Sequence, residues 1–165
     1  MVISMYYINY FFVMSIFGHL METILFPKMS SGILFSYWTP IYGIGSLIIL
    51  FIYNCVHKTK YKGFKKAFIL FISSTVILSL TEMTGGYLIK WLFNKDKWNY
   101  TDHILNIGKY TSIEMALIWG ISSLIFLYIL KPIVDKIVTK IPKLVTYMCI
   151  TLFIIDLIAT SILKI

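Results

Sequence analysis

The sequence predicts an all-α fold, an integral membrane bundle of five transmembrane helices, on three observations. Hydrophobic residues make up 59% of the 165 and charged residues only 13%, too few polar side chains to cover a globule in water, whereas a lipid-facing surface needs almost none. A mean hydropathy of +0.83 with 17% aromatic residues excludes a disordered chain. The apolar residues also fall into five stretches, each near the roughly 20 residues that a helix rising ~1.5 Å per residue needs to cross ~30 Å of hydrocarbon. At this length one transmembrane domain over residues 1–165 is expected.

The first span covers Met5 to Phe26 and stops at Pro27-Lys28. It lacks the basic start and small-residue cleavage site of a signal peptide, so it reads as a retained anchor. The second begins at Ile33 or Pro40 and ends at Val56; proline suits a first helical turn, and Gly43 and Gly45 allow close helix approach. The third covers Ala67 to Leu92 and contains Gly85-Gly86, a candidate for a break or a close crossing. The fourth covers Thr111 to Leu130, with Thr111 and Glu114 in capping-box spacing at its start and Lys131-Pro132 at its end. Leu144 to Leu163 forms the fifth. None of these runs alternates strictly, as the strands of a membrane barrel would.

Fifteen lysines, no arginine and seven acids give a net charge of +8, and lysine counts in short loops set the orientation. The Lys58–Lys66 loop holds five lysines and the Lys131–Lys143 loop four, against six on the opposite side. This predicts a cytoplasmic N-terminus, an external C-terminus and an external loop over Asn94 to Gly108. The lysines fit attraction to anionic lipid at the bilayer surface better than a nucleic-acid patch. Cys55 and Cys149 fall near cytoplasmic helix ends, where a disulfide is not expected.

The acids are more informative than the lysines. Placing an ionisable group at the centre of a span costs about 2.5–3.5 kcal/mol on insertion scales, yet Glu22, Glu82, Glu114 and Asp156 all lie within spans. Measured from the external helix ends, Glu22 and Glu114 are about 7 Å deep, Asp156 about 12 Å and Glu82 about 13 Å. All four therefore fall in the external half of the bilayer. Four ionised carboxylates would repel one another unless they bind a cation, pair with lysines such as Lys90 or Lys109, or hold protons. Glu22 and Glu114 also fit an interfacial or capping role.

Other polar groups converge on that side. His19 lies three residues before Glu22, a spacing compatible with joint metal ligation, although no second such pair exists. The loop carrying Trp98, Tyr100 and Asn106 reads either as an interfacial aromatic belt or as a lid, with Asn106 and Gly108 fixing a turn. The substrate- or ion-binding candidates are Glu22, Glu82, Glu114, Asp156, His19, Tyr42, Trp98, Tyr100 and Asn106. No catalytic triad, metal-ligand motif or cofactor fingerprint is present, and no Walker lysine follows Gly43-Ile44-Gly45.

A run of motifs from Tyr10 to Pro132 resembles a known family in the same order: Gly18-His19-Leu20-Met21-Glu22, Gly32-Ile33-Leu34, Pro40-Ile41-Tyr42-Gly43-Ile44-Gly45, Glu82, Trp98-Asn99-Tyr100-Thr101, Asn106-Ile107-Gly108 and Trp119-Gly120. The family is the CmpB-like group of small membrane proteins labelled ABC-transporter type IV permeases. Two departures stand out: the family's usual Trp-Asp-Tyr-Ser is Trp98-Asn99-Tyr100-Thr101 here, and a Gly-Pro pair often seen before Pro-Ile-Tyr-Gly is absent.

The resemblance implies a transporter membrane component working with a separate ATPase subunit, for which the Lys58–Lys66 and Lys131–Lys143 loops are docking candidates. The residues leave two other functions standing: a non-catalytic membrane partner such as an assembly or immunity protein, and an intramembrane metal-dependent enzyme. The first two require no catalysis. The bilayer is the one partner that composition alone requires.

Overall fold

The computed structural model describes residues 2–25 and 34–163. The expected stop at Pro27-Lys28, the alternative start of the second span at Ile33, the Gly32-Ile33 motif and Lys164 lie outside the described residues. Within them the chain is helical and includes no strand, only an isolated bridge between Asn106 and Ser112. The helices are α1 (Val2–Leu25), α2 (Pro40–His57), α3 (Gly63–Phe93), α4 (Ile113–Ile125), α5 (Lys131–Val138) and α6 (Lys143–Leu163). A π-helical turn, Phe126–Leu130, joins α4 to α5 in one rod from Ile113 to Val138. There are thus five rods among the described residues.

Four rods, Pro40–His57, Gly63–Phe93, Ile113–Val138 and Lys143–Leu163, are long and apolar enough to cross a membrane. With 24 residues, α1 is about 36 Å long and sufficient in length, and it carries the polar residues Tyr6, Tyr7, Asn9, Tyr10, His19 and Glu22. Large apolar side chains such as Phe51, Trp91 and Leu144 stand exposed on these helices, which suits lipid and not water. This is a multi-pass helical membrane protein.

Two boundaries differ from the sequence reading. Helix α3 starts at Gly63, so Phe64, Lys65 and Lys66 belong to its first turn and not to a loop. Nor does the fourth rod end at Lys131-Pro132: the Lys131 amide donates to Phe126 O, five residues back. That wider π turn makes room for the Pro132 ring, which in α geometry clashes with the carbonyl four residues earlier.

The chain divides into two compact units, Met1–Leu47 with Ile133–Ile165, and Ile48–Pro132. In the first, Phe12, Leu34 and Trp38 form a core against Ile8, Phe11, Cys149, Ile150 and Phe153. Buried polar groups pair across it: Asn9 Nδ2 donates to Val138 O at 3.1 Å, and Thr146 Oγ1 donates to Asn9 Oδ1 at 2.7 Å. The Tyr6 and Tyr10 hydroxyls both donate to Asp135 Oδ1, at 2.7 and 2.6 Å. Gly18 sits under the Tyr42 ring with no room for a Cβ, so the Gly18 and Pro-Ile-Tyr-Gly motifs pack together.

In the second unit α3 packs on α4 through small residues. Ala116, Gly120 and Ser123 are buried on one face of α4, and Phe71 and Thr75 of α3 fill the space beside Gly120. Small side chains let backbones approach where lipid supplies no hydrophobic drive between helices. Both cysteines, Cys55 and Cys149, are free thiols.

Candidate functional site: a buried glutamate beneath a folded loop

Glu82 lies on the face of α3 turned toward α4 and is 4% exposed. Its carboxylate accepts hydrogen bonds from Tyr100 Oη at 3.1 Å on Oε1 and from Thr111 Oγ1 at 3.1 Å on Oε2, with the Trp119 side chain alongside. Both hydroxyls come from the segment between α3 and α4. No Lys or His side chain of the described residues comes within 4.0 Å of the Glu82 carboxylate.

That segment is built to hold the two donors. Asn94 caps α3 in the left-handed region at φ 49°, which asparagine tolerates. Further on, Gly108 turns the chain at φ 73°, a conformation that favours glycine. The Asn106 side chain donates to Thr101 O at 3.2 Å. Backbone bonds close the loop on itself: Tyr100 N to Lys109 O at 2.8 Å, Ile107 N to Thr111 O at 2.9 Å and Ile113 N to Leu105 O at 2.9 Å. Trp98 Nε1 donates to Tyr110 O at 3.2 Å, and the buried Tyr110 ring lies on Gly86, where a Cβ would collide with it.

A polar cluster locks the outer side. Asp96 receives Lys109 Nζ at 2.8 Å and Tyr110 Oη at 2.6 Å, with Lys90 Nζ at 3.9 Å. The hydrogen bonds from Lys109 and Tyr110 hold the Asp96 carboxyl below its usual range. Reciprocally, the bond to Asp96, with burial second, pushes the Tyr110 hydroxyl up to about 12.

The fourth helix starts differently from the expected capping box. Its N-cap is Ser112, whose Oγ accepts from Met115 N at 3.2 Å, while the Thr111 hydroxyl is committed to Glu82. Glu114 lies in the first turn, 3.7 Å from His103 Nδ1. Trp98, Tyr100 and Asn106 therefore belong to one folded loop, and Tyr100 is brought onto Glu82.

The remaining candidates lie in the other unit. Asp156 is 5% exposed and accepts from Phe35 N and Ser36 N at 2.9 Å each, Trp38 Nε1 at 3.0 Å and Thr160 Oγ1 at 3.2 Å. Those donors come mostly from the segment leading into α2, so this carboxylate anchors its entry. The His19 ring meets Tyr37 edge-on at 5.4 Å, and Glu22 is half-buried on the same helix. Among the described residues no three of His, Cys, Asp and Glu gather closely enough to hold a metal ion.

Sequence reasoning missed Thr111, which it assigned to a cap, and Trp119, which it met only as part of a motif. It also passed over Asp96 and Tyr110. The available signal was position: an acid just after α3 and a tyrosine just before α4 are the places from which a short loop can be tied shut. Asp135 was counted within a lysine loop, although it sits on α5 facing two tyrosines.

No curated protein and no solved structure matches the chain. The chain matches one family over residues 9–161. The chain belongs to the CmpB family, described as putative ABC-transporter type IV.

Proposed function

We propose that the protein is the non-enzymatic membrane component of an ABC-type transporter, and that Glu82, beneath the 94–112 loop, binds a cationic substrate, a coupling cation or a proton. The observation that carries this reading is a buried carboxylate whose hydrogen-bond donors are neutral hydroxyls from a loop. A carboxylate in a low-dielectric site is costly when ionised unless positive charge balances it. Neutral donors satisfy its lone pairs but supply no charge, which leaves that balance to a ligand.

In this reading Tyr100 and Thr111 form a latch that opens to admit the ligand. Trp98 and Asn106 shape the loop, and Glu114 with His103 stands at its rim. The N-terminus is cytoplasmic, the C-terminus external, and the site lies in the external half of the bilayer. A separate ATPase subunit docks on the cytoplasmic lysines, because this chain carries no nucleotide motif.

A second reading, a non-catalytic membrane partner, draws on Asp156, whose hydrogen bonds all hold structure. Extended to every intramembrane acid, that role would need no ligand.

Purification in a mild detergent, followed by ATP hydrolysis assays on the eluate, tests the first reading. Wild type and Glu82→Gln both recover an ATPase, and only the wild type shows hydrolysis stimulated by cation or pH. Recovery of no ATPase, or identical behaviour of the two, favours the partner reading.

A further inference from the structure

The loop between α3 and α4 changes character along its length. Asn99, Thr101 and Asp102 are exposed and polar, but Ile104 is also 94% exposed, Leu105 51% and Ile107 50%. Three large aliphatic side chains within four residues, all left uncovered by the protein, make a patch that water does not favour.

The ties that hold the loop say what covers it. Ile113 N donates to Leu105 O at 2.9 Å, which sets Leu105 beside the first residue of α4. Ile113 opens a stripe of exposed aliphatic side chains that continues with Leu117 and Ile121, one helical turn apart. On a rod long and apolar enough to span the bilayer, such a stripe faces lipid. The second tie is to α3. The Tyr87 hydroxyl lies 3.8 Å from the place that a Cβ on Gly108 would take. Tyr87 and Trp91, four residues apart and both exposed, stand in the last two turns of that helix. Exposed Tyr and Trp near a helix end mark the headgroup level of a bilayer. The aliphatic patch is thus continuous with a lipid-facing surface and lies at the level of its aromatic border.

We propose that Ile104, Leu105 and Ile107 insert into the lipid interface where α3 ends and α4 begins, anchoring the loop that carries Tyr100 and Thr111, while Asn99 and Asp102 stay in water. The loop is then fastened from two sides, by hydrogen bonds to Glu82 within and by lipid without. Opening it draws aliphatic side chains out of lipid. A water-soluble partner would cover the loop but would not account for its continuity with the stripe on α4. The anchor does not depend on what Glu82 binds.

The test is site-directed spin labelling of the full chain in phosphatidylcholine nanodiscs, with Cys55→Ser and Cys149→Ser removing the native thiols. A nitroxide at Ile104→Cys is expected to collide more with oxygen, which concentrates in lipid, than with a water-soluble nickel chelate, as one at Leu117→Cys does, whereas one at Asp102→Cys shows the reverse. Nickel collisions at Ile104→Cys as frequent as at Asp102→Cys would place the patch in water, and shielding from both reagents would place it against another protein surface or a second copy of the chain. Either result overturns the anchor. Ile107→Cys, with the same outcomes, replaces Ile104→Cys if circular dichroism shows that the latter misfolds. Hydrogen exchange supplies a second readout: because Ile104 is 94% exposed, Ile104→Ser removes almost no packing within the protein. It is nonetheless expected to speed exchange of the amides between residues 94 and 112 about tenfold in nanodiscs, the order set by withdrawing one large aliphatic side chain from lipid. Unchanged exchange in Ile104→Ser counts against the anchor.

Discussion

Tyr100 donates its phenolic hydrogen to Glu82 Oε1 across 3.1 Å, joining the middle of the α3–α4 loop to a carboxylate buried on α3. With Thr111 on the other oxygen, the loop is fastened at two points around one side chain. Most side-chain hydrogen bonds go to backbone or water. Two hydroxyls meeting on one buried carboxylate make the loop's position depend on that group.

Removing one fastening should loosen the loop without unfolding the helices. Tyr100→Phe keeps the ring and deletes the donor, at a cost of about 1 kcal/mol, about fivefold in loop opening. Hydrogen exchange of amides between residues 94 and 112 should rise accordingly while α3 stays protected. Unchanged exchange would mean that the Tyr100 hydroxyl does not hold the loop.

Gly86→Ala puts a Cβ into the Tyr110 ring, which also meets Tyr87 edge-on at 4.8 Å. Overpacking at such a contact costs about 1–3 kcal/mol. Thermal unfolding in detergent should register the loss, and the double variant Gly86→Ala with Tyr110→Ala should recover part of it. A variant as stable as the wild type would show that the two elements separate without penalty.

Asp156→Ala should destabilise the first unit by about 1–3 kcal/mol, because buried donors at Phe35, Ser36 and Trp38 lose their acceptor. Asp156→Asn should do nearly as much: its amide nitrogen would face a donor where an acceptor is needed. Chemical denaturation followed by tryptophan fluorescence, with Trp38 as reporter, measures both. If Asp156→Asn were fully stable but inactive, the residue would be a ligand and not an anchor.

The Asp96 cluster sets a pH window for the loop. Asp96 is depressed, so its contribution is complete above the ordinary aspartate value of about 3.9 and disappears as pH falls through its lower folded value. Tyr110 is raised to about 12, so its contribution is complete below the ordinary tyrosine value of about 10 and disappears as pH rises through the folded one. Limited proteolysis of the loop should therefore be slowest between those limits, and Asp96→Asn should abolish the acid-side change. A flat profile in the wild type would contradict the cluster's role.

Helix number and approximate span positions were legible in the sequence because lipid demands long apolar runs, and α2, α3 and α6 fall where those runs do. The rod from Ile113 to Val138 was misjudged at Pro132, since a π turn can absorb a proline without any mark in the residue pattern. Glu82 was legible as an acid within a span, and Tyr100 and Asn106 as polar residues of a loop read either as a belt or as a lid; Gly108 turns that loop at positive φ and Asn106 ties it to Thr101. Which donors would reach the acid was not legible. Thr111 had two possible uses, a cap or a hydrogen bond to Glu82, and only the path of the loop decides between them. Asp156 was legible by its intramembrane depth as a residue needing a partner, but that Phe35, Ser36 and Trp38 would supply donors to it could be read only from the fold.

The most direct test of the proposed role of Glu82 is its labelling by a hydrophobic carbodiimide, quantified by peptide mass spectrometry across pH with and without sodium or methylammonium. Glu82 is expected to be labelled, faster in Tyr100→Phe, and raising the pH or adding one of the cations is expected to suppress the labelling. Labelling of Glu82 that ignores pH and both cations would contradict its role as a cation or proton site.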